Sequence, residues 1–369
     1  MVCVNALGCP ASRVPGPERE GRQWTAYLFQ LARAPSAAER VPDSLELAWE
    51  FPVGKAPSGP LAVGDSVVIA ATTDRKIAAV SRSTGRLIWR KRLNGSAACG
   101  PLFTEARAYV ATGHRDGAVA AFEIKNGKEQ WRRTTGPVVG ALALSDSAVY
   151  AATASGRVIA LDQRSGEPLW VHDVRQPLRS GVTVVGPHLV VTSDDSLFLV
   201  VRRTGARAAA VATDGAVTRP PAVEGNLLIT TSPDGYVTAL ALPTLARSWQ
   251  RRLDDPVFGS PSIARDTIFV ITAAGTLWRF PLHAPGRGTA LELHVMVRAP
   301  VAPVRNGLLI GTVDGEILLI AAGRTEPIVV GHADGPIEEP PIVSRGTVYV
   351  IDGRGTIRAW ATPADPEPL

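Results

Sequence analysis

A four-residue apolar run returns about every 40 residues along this chain, and a repeat of that period restricts the fold to units that stack or close on one another. The eight copies are Ile77 to Val80, Val119 to Phe122, Val158 to Leu161, Leu197 to Val200, Val237 to Leu240, Leu277 to Phe280, Ile317 to Ile320 and Ile357 to Trp360. At 369 residues the chain could hold two or three ordinary domains. A regular repeat overrides that expectation, because repeats share one continuous core.

Each unit has the same internal order. It opens on a short segment with Pro or Gly, such as Gly59-Pro60-Leu61, Gly140-Ala141-Leu142 or Pro340-Pro341-Ile342. Proline cannot donate to a ladder, so these segments read as edge strands, and their small residues let several strands converge on a narrow axis. A β-branched run follows, such as Val67-Val68-Ile69, then a turn such as Ser155-Gly156 or Asp234-Gly235, then the apolar run. Unbroken apolar character indicates strands covered on both faces. A second turn, Thr84-Gly85, Asn126-Gly127, Ser165-Gly166 or Thr204-Gly205, leads to an outer strand that carries Trp89, Trp131 or Trp170 in the first three repeats. Trp249 holds that place in the fifth, and Ala209, Glu292 and Pro327 are expected to hold it in the fourth, sixth and seventh.

Four short strands per unit make the blade of a β-propeller. Leu47 to Phe51 reads as an outermost strand that precedes any inner strand, whereas the last repeat stops at Trp360 after its third strand. The expected fold is therefore all-β, an eight-bladed propeller of four-stranded antiparallel blades, closed when the N-terminal strand around Trp49 completes the last blade. Residues 1–46 read as an N-terminal extension, 47–361 as the propeller and 362–369 as a disordered tail. Within the extension, Trp24, Tyr27, Leu28 and Leu31 have the spacing of a short amphipathic helix.

Composition excludes several function classes. The net charge is +5, but the basic residues are scattered singly and are nearly all Arg, without the clustering of a nucleic-acid footprint. No apolar stretch approaches the roughly 18 residues of a membrane-spanning helix. Cys3, Cys9 and Cys99 form no disulfide framework or metal spacing, and Cys99 reads as a small buried hydrophobe. The six His residues are spread over separate repeats, and there is no nucleophile elbow, phosphate loop or zinc-protease motif. These readings point to no catalytic residue, no metal and no cofactor.

The apolar run, Thr-Gly or Ser-Gly, and Trp four residues later resemble the tryptophan-docking repeat of quinoprotein propellers, best in Ala160-Leu161-Asp162 to Ser165-Gly166 and Trp170. The resemblance covers about residues 45 to 360 and implies that Trp49, Trp89, Trp131, Trp170 and Trp249 wedge between neighbouring blades. Quinoprotein dehydrogenases of this superfamily use pyrroloquinoline quinone, calcium, an adjacent Cys pair and a catalytic Asp. This chain has no Cys-Cys, and Asp194-Asp195 and Asp254-Asp255 fall where turn acids are expected.

Length, blade count and the closing strand are more similar to the BamB family, scaffold lipoproteins of the outer-membrane β-barrel assembly machinery. That resemblance implies a non-catalytic, periplasmic protein that binds BamA. It implies a partner-binding role for Leu178 and Arg179 in Pro177-Leu178-Arg179-Ser180, with Leu178 expected to be exposed. The family's acidic pair on the following blade is replaced by Ala216-Val217-Thr218, with Asp214 nearby. A lipoprotein also needs a lipidated cysteine, and Ala6-Leu7-Gly8-Cys9 is an imperfect lipobox that nominates Cys9. A ligand-binding or sensory propeller that uses its central channel is the rival reading.

Overall fold

A computed structural model describes residues 39–114 and 116–362. Cys3, Cys9 and the Trp24 to Leu31 segment lie outside the described residues, as does the expected tail beyond 362. The chain forms eight four-stranded antiparallel sheets, each a blade. Blade 1 runs Ala62–Val63, Val67–Thr72, Lys76–Ser81 and Leu87–Arg92, and blades 2 to 7 repeat that order. The eight apolar runs are the third strands. They are almost wholly buried, because each is sandwiched between two neighbouring blades.

Blade 8 is closed as expected. Its outer strand is Glu46–Pro52, which pairs antiparallel with Thr356–Ala361, so the order reads from the N-terminal strand to Ile342–Ser344 at the axis. The substitution is seamless. In other blades the residue after the outer strand donates its N–H to the hairpin between the second and third strands, as Val174 does to the Gly156 carbonyl and Leu253 to that of Gly235. Val53 does the same to Gly355, although some 300 residues of chain separate them. Charge seals the joint. Arg358, nearly buried, donates to Glu50 of the closing strand at 3.0 Å and also to Asp352 and Asp334.

The tryptophans explain how one blade fits the next. Trp49, Trp89, Trp131 and Trp170 each face a small residue on their own third strand: Ala359, Ala79, Ala121 and Ala160. Each lies over a glycine in the turn of the following blade. A Cβ on Gly85, Gly127, Gly166 or Gly205 would stand 2.5 to 2.6 Å from the indole of Trp49, Trp89, Trp131 or Trp170 respectively. Those glycines also have φ between 66 and 75°, a second reason for the residue type. The indole N–H then donates to the carbonyl of the residue after the next blade's third strand: Arg82, Ile124, Gln163 or Arg202, at 2.6 to 3.0 Å. Trp and Gly are thus one device, divided between adjacent repeats.

Where the device is missing, something else fills the space, with one exception. Between blades 4 and 5, Ala209 faces Leu199 instead of an alanine, and Leu245 occupies the glycine position at φ 60°. Both leucines pack in one buried cluster beside Ala209. Between blades 5 and 6, Trp249 is present against Phe280, but its Nε1 is buried without a partner, because blade 6 replaces the tight turn with a 3₁₀ turn at Pro285–Arg287. Between blades 7 and 8 there is no glycine turn to dock on, since blade 8 takes its outer strand from the other end of the chain. Trp360, Ile328 and Val41 fill that gap.

The register corrects two expectations here. Thr289 and Ile328, not Glu292 and Pro327, stand opposite the third-strand position that faces Trp elsewhere. Blade 6 has no bulge between its third and fourth strands and blade 7 has its bulge displaced, so counting from the turn mislocates the site.

Candidate functional site

The links that carry the chain from one blade's outer strand to the next blade's inner strand share a pattern. Val138, Leu178, Val217, Val257, Val297 and Ile337 occupy one equivalent position, and all six are buried. Leu178 is therefore core, packed with Val174, Val182 and Leu189 and fully shielded from solvent. The expected exposed leucine is corrected: in a propeller this link position anchors the loop to the blade below. Aligning the six links would have revealed it, since every member is aliphatic.

The next residue of the link is exposed at Arg179, Thr218, Phe258 and Arg298 and half-buried at Val139 and Glu338. Arg179 is exposed and grips Asp194 bidentately, Nε to Oδ1 at 2.7 Å and Nη2 to Oδ2 at 2.9 Å. The guanidinium holds the Asp194 carboxyl below its ordinary range, and the carboxylate in turn raises Arg179. An exposed pair of this kind is held weakly and can exchange its carboxylate for that of a partner. The corresponding residues are Thr218, Phe258 in blade 6, Arg298 in blade 7 and Glu338 in blade 8. Arg298 donates to Glu338 at 3.0 Å. Phe258 and Met296 are exposed on these same links, at 39 % and 58 %. Arg179, Phe258 and Met296 therefore stand on the loops of one face, apolar groups among paired charges, the composition of an interaction surface. Sequence reading missed Phe258 and Met296. The one signal for Met296 was a long side chain where four sister links carry Pro, at 137, 177, 256 and 336.

A cavity of about 280 Å³ opens between blades 4 and 5, lined by Val211, Thr213, Asp214, Thr231, Thr238 and Arg247 among others. Asp214 accepts from Arg247 at 2.6 Å and from Gln250 at 3.0 Å, so the acid that remains near the replaced acidic pair is engaged within the protein. The outer strand of blade 4, Arg207–Ala212, runs along the rim as Arg-Ala-Ala-Ala-Val-Ala. It is an edge with one charge, short of the defences edge strands usually carry.

The central axis is narrow. Gly59 abuts Gly100, and Gly140 abuts Gly181, so closely that a side chain on Gly59 or Gly140 would strike the next link's backbone. Two ionisable groups occupy equivalent positions farther round, Arg219 in blade 5 and Glu339 in blade 8. Burial pushes the Glu339 carboxyl up to about 7, opposed by Arg219 and reinforced by Glu338. Arg219 and Glu339 each directly precede a Pro-Pro pair that opens the blade's inner segment, and Arg219 donates from Nε to the Phe258 carbonyl at 2.9 Å. One carboxylate oxygen of Glu339 is buried without a hydrogen-bond partner. Cys99, on the corresponding link of blade 2, is buried, and desolvation raises its thiol to about 11, so it is inert packing. Among the described residues, no group of three or more His, Cys, Asp or Glu side chains is arranged to hold a metal ion.

The family model described as outer membrane protein assembly factor BamB matches residues 40–177 and 154–363, which together span the ring. The chain belongs to the BamB family. Proteins named outer membrane protein assembly factor BamB are similar to it at modest identity. That of Yersinia pestis is 25 % identical over 266 residues, 64 % of each chain. That of Alkalilimnicola ehrlichii is 26 % identical over 199 residues, 50 % of this chain and 51 % of its own. That of Shewanella oneidensis is 23 % identical over 334 residues, 80 % of this chain and 82 % of its own. The match thus spans less than two thirds of the first two relatives. Among solved structures, BamB from Moraxella catarrhalis has a TM-score of 0.73 at 15 % identity, covering 86 % of this chain and all of that one. Quinohemoprotein alcohol dehydrogenase from Comamonas testosteroni has a TM-score of 0.76 at 12 % identity, covering 94 % and 82 %. At such identities these likenesses show a shared propeller, and the choice of BamB over the dehydrogenases rests on the family match.

Proposed function

We propose that this chain is a non-catalytic scaffold of outer-membrane β-barrel assembly that binds BamA through the face carrying Arg179, Phe258 and Met296. Family membership supports the assembly role, and the observation that carries the binding face is the exposed apolar pair among exchangeable Arg–carboxylate pairs. Arg179 is the contact retained from the sequence reading, offering a planar fork to a partner carboxylate. Leu178 contributes by anchoring the loop that presents it. The alanine-rich edge Arg207–Ala212 supplies a second means of contact, pairing with a partner strand. The protein works in the periplasm, attached to the outer membrane through a lipidated Cys9. In a pulldown with the periplasmic part of BamA, Arg179→Glu and Phe258→Ser should each weaken capture at least tenfold without altering circular dichroism. Unchanged capture by both variants would remove this face from the proposal.

The rival reading, a ligand-binding channel, is favoured by one observation, the Glu339 carboxylate, one oxygen of which is buried without a hydrogen-bond partner. Titration with pyrroloquinoline quinone and calcium, followed by absorbance and thermal shift, separates the two.

A further inference from the structure

The slot between blades 6 and 7 lacks its tryptophan but keeps the walls of the slots that have one. A cavity of about 280 Å³ lies there. Phe269 stands on the second strand of blade 6 where Tyr349, Tyr109 and Tyr150 tilt against Trp49, Trp131 and Trp170. Ala322 follows the third strand of blade 7, the position whose carbonyl accepts the indole N–H elsewhere, and it lines the cavity. On the outer strand of blade 6 the exposed Thr289 holds the place of the tryptophan. A cavity of about 150 Å³ already holds benzene, so this one has room for a bicyclic ring. The space of similar volume between blades 4 and 5 is of another kind. Thr213, Asp214 and Thr238 are among its walls, and in that interface Leu199 and Leu245 pack beside Ala209.

The slot where Trp49 docks, between blades 8 and 1, shows what the charges of such walls require. Arg345 lines it at φ 52° and forms an ion pair with Asp65. Arg265 is the matching residue of blade 6, at φ 49°, and lines the slot that lacks a tryptophan. The match to Asp65 in blade 7 is the neutral Asn306, whose side chain exchanges hydrogen bonds with the Val41 backbone at 2.7 and 3.0 Å. The Arg265 guanidinium is left with a backbone partner, the Arg305 carbonyl at 2.8 Å. A second guanidinium enters the same space. The third-strand residue opposite the docked tryptophan is alanine in four other blades and Arg279 here, paired across the sheet with both Phe269 and Thr289. Its Nε is buried without a hydrogen-bond partner. Among the described residues neither arginine forms an ion pair, and no carboxylate lines the cavity. A buried donor left unmade is costly, and a bound carboxylate would satisfy it with a charge-assisted hydrogen bond.

We infer that the slot between blades 6 and 7 binds a small aromatic carboxylate of indole size. Its ring takes the place of the missing tryptophan against Phe269, and its carboxylate pairs with Arg279 and Arg265. The ring gains apolar contact and a guanidinium neighbour, and the two arginines gain the negative charge that Asp65 gives Arg345. None of Arg179, Phe258 and Met296 lines this cavity, so binding there does not depend on the partner of the loop face.

Calorimetric titration of the full chain with indole-3-acetate, indole and tryptamine tests the site. Indole-3-acetate should bind about tenfold more tightly than neutral indole, and the cationic tryptamine more weakly than either. Arg265→Gln, at an exposed side chain, should remove most of the preference for the acid and leave indole unchanged. Arg279→Ala/Thr289→Trp, which rebuilds the alanine–tryptophan pair of the sister slots, should abolish binding of both. A nitroxide on Thr289→Cys, in a chain with Cys3 and Cys9 changed to Ser, should broaden the ring protons of bound indole-3-acetate, a readout that does not need the double variant to fold. No saturable binding of indole-3-acetate, equal binding of tryptamine, an affinity unchanged by Arg265→Gln, or ring protons left sharp beside the nitroxide overturns the inference.

Discussion

A single Cβ decides whether two blades can meet. At Gly127 an added methyl would stand 2.6 Å from the Trp89 ring, so the cost of Gly127→Ala should depend on that ring. Trp89→Ala alone should cost about 3 to 5 kcal/mol. Gly127→Ala should be markedly less destabilising in the Trp89→Ala background, where only the strain of its positive φ remains. A double-mutant cycle by urea unfolding measures the coupling, and additive effects would contradict a shared Trp–Gly device. Glu339 is a second residue-scale case. Its carboxyl binds a proton up to about pH 7 in the folded chain but only to about 4.3 when unfolded. Between those values the folded state holds more protons, so stability falls as pH rises through this window. Glu339→Gln should abolish that component. Relative to the variant, the parent should lose melting temperature from pH 5 to pH 8, by an amount corresponding to at most ~3 kcal/mol.

At the scale of strands, the closing element Glu46–Pro52 holds the ring together by pairing and by the Arg358 cluster. Asp352 is fully buried beside Arg358, so Arg358→Ala strands a carboxylate and should cost about 3 to 5 kcal/mol. Hydrogen exchange should show the loss first in Glu46–Pro52 and Thr356–Ala361, and protection lost equally in all blades would argue against a local seam. Much of this element was legible beforehand. An outer strand without an inner one, and an inner set without an outer one, could be matched from the sequence because strand order within a repeat is invariant. The interior of each link was not legible in the same way. Leu178 looked like a loop residue because loops average toward exposure, yet the link must anchor one side chain per blade, and that constraint shows only when all links are compared. Thr289 and Ile328 were missed for another reason: in blade 6 the glycine counted from, Gly288, ends a 3₁₀ turn and directly precedes the outer strand, and in blade 7 the bulge is displaced, which nothing in the local composition marks.

The whole molecule is a closed ring whose two kinds of irregularity fall in different places. Repeats set the core, so blade count, closure and the Trp positions could be read from periodicity. The proposed binding surface could not, because exposed residues such as Phe258 and Met296 are not set by the packing that imposes the period. On this account the ring is a rigid frame that presents the links of blades 4 to 7. Hydrogen–deuterium exchange of the intact protein, with and without the periplasmic part of BamA, tests that claim most directly. The account predicts slowed exchange in the links around residues 177–180, 256–259 and 296–298, with the opposite face unchanged. Binding that slows exchange only on the opposite face, or no change at saturating BamA, would contradict it.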